Sequence, residues 1–454
     1  MAQLQPTTTS FNSASTDPAN RLATINPADF STQIDNPFLI YEPGTTFVFK
    51  SPDGTFVDNF VITRETRVLE GVTCVVIHDQ SIDHGELVEN TFDYFAQDKA
   101  GNVWYFGEDT QEIENGKVVS TEGTWHAGVN GATPGIVMEA HPQLHDSYDQ
   151  EHAAGIAEDH AQVTSLTGSA VTPYGSFHHD LLVTAETSPL EPGALDEKKY
   201  ALGVGDVLEL DKVTGDLIQL NQVKVDGTAG NDALRGYAGG DFLNGHDGND
   251  HLNGLGGSDK IYGGRGNDLL DGGHDTAVDR LYGGQGNDTI HVRTHDRAFG
   301  GDGNDTLQLF DNTHFGSIAG GEEANRNLAK ASGDILQFSG HLDLTHDSVS
   351  DKIGGIETLS MKNGEGGDGL KLDAHDVLDL GDGIFDPKHT GDPLPKGDAV
   401  RVEGNSGDQL TLNGGQWKEA QAANTPDDFN LFSAHTSSGH AYVLVQEDVT
   451  VHIT

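Results

Sequence analysis

One cysteine, Cys74, stands in a chain of 454 residues, so no intramolecular disulfide can form and the fold is not a disulfide scaffold. It lies in the strand-like run Val72–Ile77, where a small buried apolar residue is expected rather than a catalytic thiol. Bases are scarce too: 25 Lys and Arg face 72 Asp and Glu, a formal net charge of −47. Such a field repels polyanions, so nucleic acid and anionic membrane surfaces are poor partners and divalent cations good ones. No apolar run nears the roughly 18 residues that cross a bilayer. The first 24 residues, rich in Thr, Ser, Asn and Pro, lack the apolar core of a secretory signal peptide and read as a disordered leader. Neither HExxH nor GxSxG occurs, which excludes the zinc-protease helix and the nucleophile elbow. Amphipathic helices are short or missing, with 149–162 the one segment that could form one.

Glycine is abundant, with 59 copies, and between Gly227 and Gln308 it recurs every nine residues. The clearest copies are GGRGNDLLD (263–271), GGQGNDTIH (283–291) and GGDGNDTLQ (300–308). An eleven-residue turn, Gly272–Tyr282, and a degenerate turn over Val292–Phe299 interrupt the period without ending it. Six residues of each turn form a tight loop that closes on a carboxylate: Asp232, Asp241, Asp250, Asp259, Asp268, Asp279, Asp288 and Asp305. Calcium takes six to eight oxygens, so these carboxylates are candidate ligands together with loop carbonyls, those of Gly227, Gly236, Gly245, Gly254, Gly263, Gly283 and Gly300. Two residues after each aspartate comes one aliphatic, from Leu234 and Leu243 through Ile290 and Leu307, placed to pack inward on a short strand. Successive turns are expected to stack about 4.8 Å apart. A flexible linker has no reason to hold aspartate and aliphatic in phase.

This repeat resembles that of the RTX, or hemolysin-type, calcium-binding proteins. The resemblance implies a parallel β-roll that holds several calcium ions. Beyond it, IGGIETLSM (353–361), LKLDAHDVLDL (370–380), VRVEGNSGDQLTL (400–412) and YVLVQEDVTVHIT (442–454) resemble the C-terminal regions of RTX proteins exported by type I secretion systems. That likeness implies an uncleaved export signal within roughly the last 60 residues, the type I machinery as a partner, and a secreted or surface-associated protein meeting an extracellular ligand or substrate. TFDYFAQDKAGNVWYFGEDT (91–110) and its surroundings are similar to an uncharacterised bacterial secreted β-domain family, which implies no activity.

The expected fold is all-β: a leader (1–24), an antiparallel β domain (25–222), the roll (223–310), and a C-terminal capping and secretion domain (311–454), with a short helix inserted near 322–331. Two functions stay open for the N-terminal domain. It is a binding or matrix module, or it is an extracellular metalloenzyme. The second reading rests on His126, His141, His145, His152 and His160 with Glu151 and Glu158, since imidazoles with a carboxylate hold zinc, copper or iron. His141 and His145 would share a face on a helix, and Glu158 and His160 would share one on a strand. The aromatics Tyr94, Phe95, Trp104, Tyr105, Phe106 and Trp125 fit either a core or the lining of a ligand cavity in a β-barrel mouth.

Overall fold

The computed structural model describes residues 25–322, 333–380, 384–385, 397–414, 416–421 and 425–454. The expected leader lies outside the described residues, as does the expected helix beyond Glu322, which itself ends a strand. The protein is all-β, and the chain divides into two compact units at Asn221/Gln222.

In the first unit, turn chemistry drives a meander. Thr45–Lys50, Phe56–Leu69, Val72–Asp83, Glu86–Asp98 and Val103–Asp109 pair antiparallel in chain order. Glu70 and Gly71, with φ of 49° and 82°, make the tight two-residue turn that matches strand twist. A second meander runs through His160–Val171, Ser176–Thr187, Asp196–Ala201, Gly205–Asp211 and the strand that begins at Leu217. Thr133–Met138 pairs with Val103–Asp109 and with Glu151–His152, and Ser147–Asp149 pairs with the second meander. The strand from Leu217 also pairs with Thr45–Lys50, so the sheet closes on itself as a barrel. Cys74 is fully buried beside Val72, Val76, Tyr94, Phe106 and Trp125, and burial pushes its thiol up to about 12, which makes it an apolar core residue. The helix considered over 149–162 does not form. Short strands, a bridge between Ala153 and Ala157 and the start of His160–Val171 occupy that stretch.

The second unit is parallel. One ladder joins Asp241–Asp247, Lys260–Arg265, Arg280–Gln285, Arg297–Asp302 and Ser317–Glu322. The other joins Ala233–Arg235, His251–Asn253, Leu269–Asp271, Thr289–Val292 and Thr306–Leu309. Leu234 faces Leu252 and Leu243 faces Ile261, so the stacked turns are alternate turns, not successive ones. A full coil takes two nonapeptides, one for each sheet. The inward aliphatics from Leu243 and Leu252 through Leu307 have no exposed surface, and Ala298 fills the place in the eight-residue turn. On the outer side Tyr262, Tyr282 and Phe299 stack nearly parallel, 4.8 and 5.0 Å apart, at the spacing of the strands that carry them. Parallel pairing continues past residue 310 through Ile335–Phe338, Thr358–Ser360 and Gly397–Glu403. A third ladder, His341–Asp343, Gly369–Leu372, Gln409–Leu412 and Thr450–Ile453, reaches the end of the chain.

One ion pair ties adjacent coils together. The Arg293 guanidinium grips the mostly buried Asp271 with two bonds, Nε to Oδ1 at 2.9 Å and an Nη to Oδ2 at 2.8 Å, while His291 Nδ1 lies 3.0 Å from the same carboxylate. Arg293→Ala leaves that carboxylate without its fork, and should cost about 2–4 kcal/mol in a denaturant titration at saturating calcium. Arg293→Lys, which keeps charge but not the fork, should recover only part of the loss.

Candidate metal centre

Each loop of the roll ends on its aspartate, and the stacking decides what that side chain meets. Oδ1 accepts a hydrogen bond from the backbone N–H of the aspartate one coil earlier: Asp232 N to Asp250, Asp241 N to Asp259, Asp250 N to Asp268 and Asp268 N to Asp288, each at 2.8 Å. The pattern continues from Asp259 N to Asp279 and from Asp288 N to Asp305. The second oxygen behaves differently. In Asp250, Asp259, Asp268, Asp288 and Asp305, Oδ2 is buried and has no hydrogen-bond partner. Burying an anionic oxygen with nothing to meet it is costly. Burial accordingly raises these carboxyls, Asp259 to about 9, Asp268 to about 6, Asp279 to about 8, Asp288 to about 7 and Asp305 to about 6.

Carbonyl oxygens converge on the same places. A methyl group built on Gly263 would lie 2.4 Å from Asp268 Oδ2 and 2.5 Å from the carbonyl oxygen of Gly283. At Gly245 the neighbours are Asp250 Oδ2 and the Gly263 carbonyl, and at Gly283 they are Asp288 Oδ2 and the Gly300 carbonyl. The Gly254 and Gly245 carbonyls take the corresponding places beside Asp241 and Asp232. Gly227 and Gly236 open the two stacks, and there Oδ2 of Asp232 and Asp241 already accepts N–H bonds from Thr228 and Tyr237. Beneath each first glycine lies a cradle bounded by a carboxylate and a main-chain carbonyl. A hard cation fits that donor set.

Sequence reasoning overlooked three features of this site. Asp296 keeps the ladder intact in the degenerate turn: it is buried, its Oδ1 accepts from Asp279 N at 3.3 Å, and its Oδ2 accepts from Arg293 N at 2.8 Å. The ladder also outlasts the repeat, with Asp305 N bound to Asp334 and Asp334 N bound to Glu357. Finally, the two stacks differ. Asn231, Asn249, Asn267 and Asn287 form an amide ladder along one stack, each Oδ1 accepting the N–H of the next asparagine or of Asn304 at 2.7–2.9 Å. On the other stack Gly240, Ser258, Val278 and His295 occupy that position. The visible signal was GND against xD at alternate turns.

The histidine constellation of the first unit does not assemble. Among the described residues no three His, Cys, Asp or Glu side chains are placed to hold a metal ion, so the transition-metal site is corrected to dispersed side chains. His126 Nε2 pairs with Asp109 at 3.0 Å, beside Arg67 and Tyr94. His141 and His145 lie in a loop rather than on a helix, and His145 has a φ of 75°. His152 is exposed on a two-residue strand, and Glu158 accepts the Gly155 N–H. His160 stands between Ser147 Oγ at 2.6 Å and Asp149 Oδ1 at 2.9 Å. That order matches a serine-hydrolase relay. Ser147 is exposed, however, and none of the three residues lines the cavity walled by Phe47, Phe49 and Phe95 or the one walled by Glu108 and Glu151.

Glu151 is buried and accepts the Trp125 Nε1 hydrogen at 3.0 Å. Burial first, then neighbouring acids, push Glu151 to about 8, and burial likewise pushes Asp93 to about 8 and Glu108 to about 7. These groups bind protons more tightly folded than unfolded, where they titrate near 4. Their ionisation penalty is therefore absent below pH 4 and grows until about pH 8. With calcium saturating, the melting temperature of the first unit should fall from pH 5 to pH 9. A flat or rising profile would contradict the placement of these carboxyls.

Comparison with known families agrees with the roll. The RTX calcium-binding nonapeptide repeat matches in four copies, over residues 226–261, 245–276, 253–290 and 275–307. No match was found among curated proteins or among solved structures. The carboxylate and carbonyl stacks of the second unit are thus those of RTX calcium-binding repeats, and the chain carries four matched copies of that calcium-binding nonapeptide repeat.

Proposed function

We propose that this is an exported protein whose roll folds on meeting extracellular calcium, with residues 25–221 acting as its binding or matrix module. The observation that carries the reading is the row of buried, partnerless Oδ2 atoms, each facing a glycine carbonyl. In this reading Asp250, Asp259, Asp268, Asp288 and Asp305 supply carboxylate oxygens, with Asp279 as a further ligand and Asp232 and Asp241 at the open ends. The carbonyls of Gly263, Gly272, Gly283, Gly300 and Gly320 complete the cradles of the first five, and those of Gly245 and Gly254 stand beside Asp232 and Asp241. Calcium supplies positive charge that compensates these carboxylates and bridges adjacent coils.

Self-repulsion explains the switch. Without cations, a segment with one small aliphatic column per sheet cannot offset stacked anions and stays expanded. Extracellular calcium modules bind at about 0.1–1 mM, so the chain would cross a low-calcium cytosol unfolded. RTX-repeat proteins are typically secreted, and residues 311–454 would cap the roll and carry the type I export signal.

Far-UV circular dichroism during a calcium titration tests this. A cooperative gain of β signal is expected with a midpoint of about 0.1–1 mM, and magnesium, which keeps its waters and demands a tighter octahedron, should not reproduce it. An equal response to magnesium would overturn the reading.

A further inference from the structure

Unit 25–221 buries an acid excess of its own. Its barrel holds a partly open cavity of about 260 Å³. That is slightly below the roughly 300 Å³ at which pockets for drug-sized ligands begin, so it suits a compact molecule. Strand alternation builds the wall: Phe47 and Phe49 point inward from one strand, Asp58 and Phe60 from its neighbour, and Lys198 and Tyr200 from a third. Phe95 and Tyr41 complete an aromatic chamber and pack against each other at 5.7 Å.

Four carboxyl groups, Asp58, Asp79, Asp206 and Glu209, are set into this chamber with a single base, Lys198. Lys198 Nζ already serves two acids, Glu209 at 3.5 Å and Glu186 at 3.6 Å. Asp58 and Asp79 both line the chamber, where the Asp58 charge acts on Asp79; Ser81 Oγ donates to Asp58 Oδ1 at 3.3 Å, and Asp79 Oδ1 is sealed from solvent without a hydrogen-bond partner. Burial first, then Asp58, pushes Asp79 far above the usual carboxylate range, so the pair holds a proton where no cation is bound. A neighbouring cavity shares Lys198 and Glu209 and is lined by six further acids, Glu108, Glu151, Asp159, Glu186, Glu191 and Asp196, so the negative field extends past the chamber.

We propose that this cavity binds a small organic ammonium ion, its nitrogen held by Asp58 and Asp79 and its carbon skeleton lying against Phe47, Phe49, Phe60 and Phe95. The faces of aromatic rings attract cations, and most strongly where water is excluded. A neutral ligand would leave the Asp58–Asp79 pair uncompensated. A bare metal ion would make no use of the aromatic wall. The inference rests on the binding-module reading and gives that module its ligand class.

Calorimetry on the full chain in saturating calcium is the test, with phenethylammonium, butane-1,4-diammonium and choline as probes and butane-1,4-diol and glucose as neutral controls. At least one ammonium probe should bind one to one, and Asp79→Asn and Asp58→Asn should each weaken it at least tenfold. Asparagine matches a protonated aspartate in shape and charge, so the melting transition of residues 25–221 should persist and confirm that the variants fold. Silence of all three ammonium probes, or binding unchanged in both variants, overturns the proposal. A neutral control that binds while the ammonium probes do not would sink the ammonium assignment and leave the binding module standing.

Discussion

Asp268→Ala combined with Asp288→Ala should raise the calcium midpoint for folding on the order of tenfold or more, the scale on which even outer-shell partners tune metal affinity. These residues are consecutive in the stack that carries the asparagine ladder, because Asp268 N donates to Asp288 Oδ1. The two therefore serve adjoining cradles joined by that hydrogen bond, and removing both should cost less than the sum of the single losses. Asp268 and Asp279 lie in opposite stacks, so that pair should come closer to additivity. Calcium titrations of the three single and two double variants measure both couplings. Equal coupling in the two pairs would contradict the stacking, and an unchanged midpoint would contradict the ligand assignment.

Gly263→Ala should be nearly as damaging, through space alone. The added methyl would sit 2.4 Å from Asp268 Oδ2 and 2.5 Å from the Gly283 carbonyl, inside the cradle proposed for the cation. Its φ is not in the left-handed region, so alanine meets no backbone penalty there. Gly54 is the complementary control: its φ is 74° and nothing lies within 4 Å of an added methyl. Gly54→Ala should cost about 1 kcal/mol of backbone strain and leave the calcium midpoint unmoved. Gly263→Ala should move the midpoint by an order of magnitude or abolish the transition. Similar small effects for both would mean that the cradles are not where calcium binds.

The roll was legible because its chemistry is periodic. A loop that must present one carboxylate and one inward aliphatic per turn repeats both in the sequence, and Asp250, Leu252, Asp268 and Leu270 all stand where the phase put them. Stacking was not legible. A nine-residue period does not say how many turns close a coil, and the answer is two, so Leu234 meets Leu252 and not Leu243. Asp296 was hidden by the shortened turn, which moves the aspartate out of phase while main-chain pairing keeps it in the ladder.

In the first unit, the strand-like run Val72–Ile77 falls within the longer strand Val72–Asp83, whose far end the local pattern did not mark. The site was harder. Histidines close in sequence were assigned to one cluster, yet His126, His152 and His160 belong to different strands with partners of their own. The chamber acids were passed over because Asp58 and Asp79 look like ordinary surface residues until the barrel closes. A signal was present: Asp58 is in phase with Phe60, and Lys198 with Tyr200, so charge and aromatic share one face.

Hydrogen exchange across a calcium titration, resolved by peptide, tests the account most directly. Amides from Gln222 onward should exchange as an unfolded chain without calcium and gain protection together near the midpoint, with several ions bound per chain. Amides of residues 25–221 should be protected throughout. Protection of the roll in the absence of calcium, or a folded roll with no bound calcium, would contradict the claim that these carboxylate and carbonyl cradles are what calcium folds.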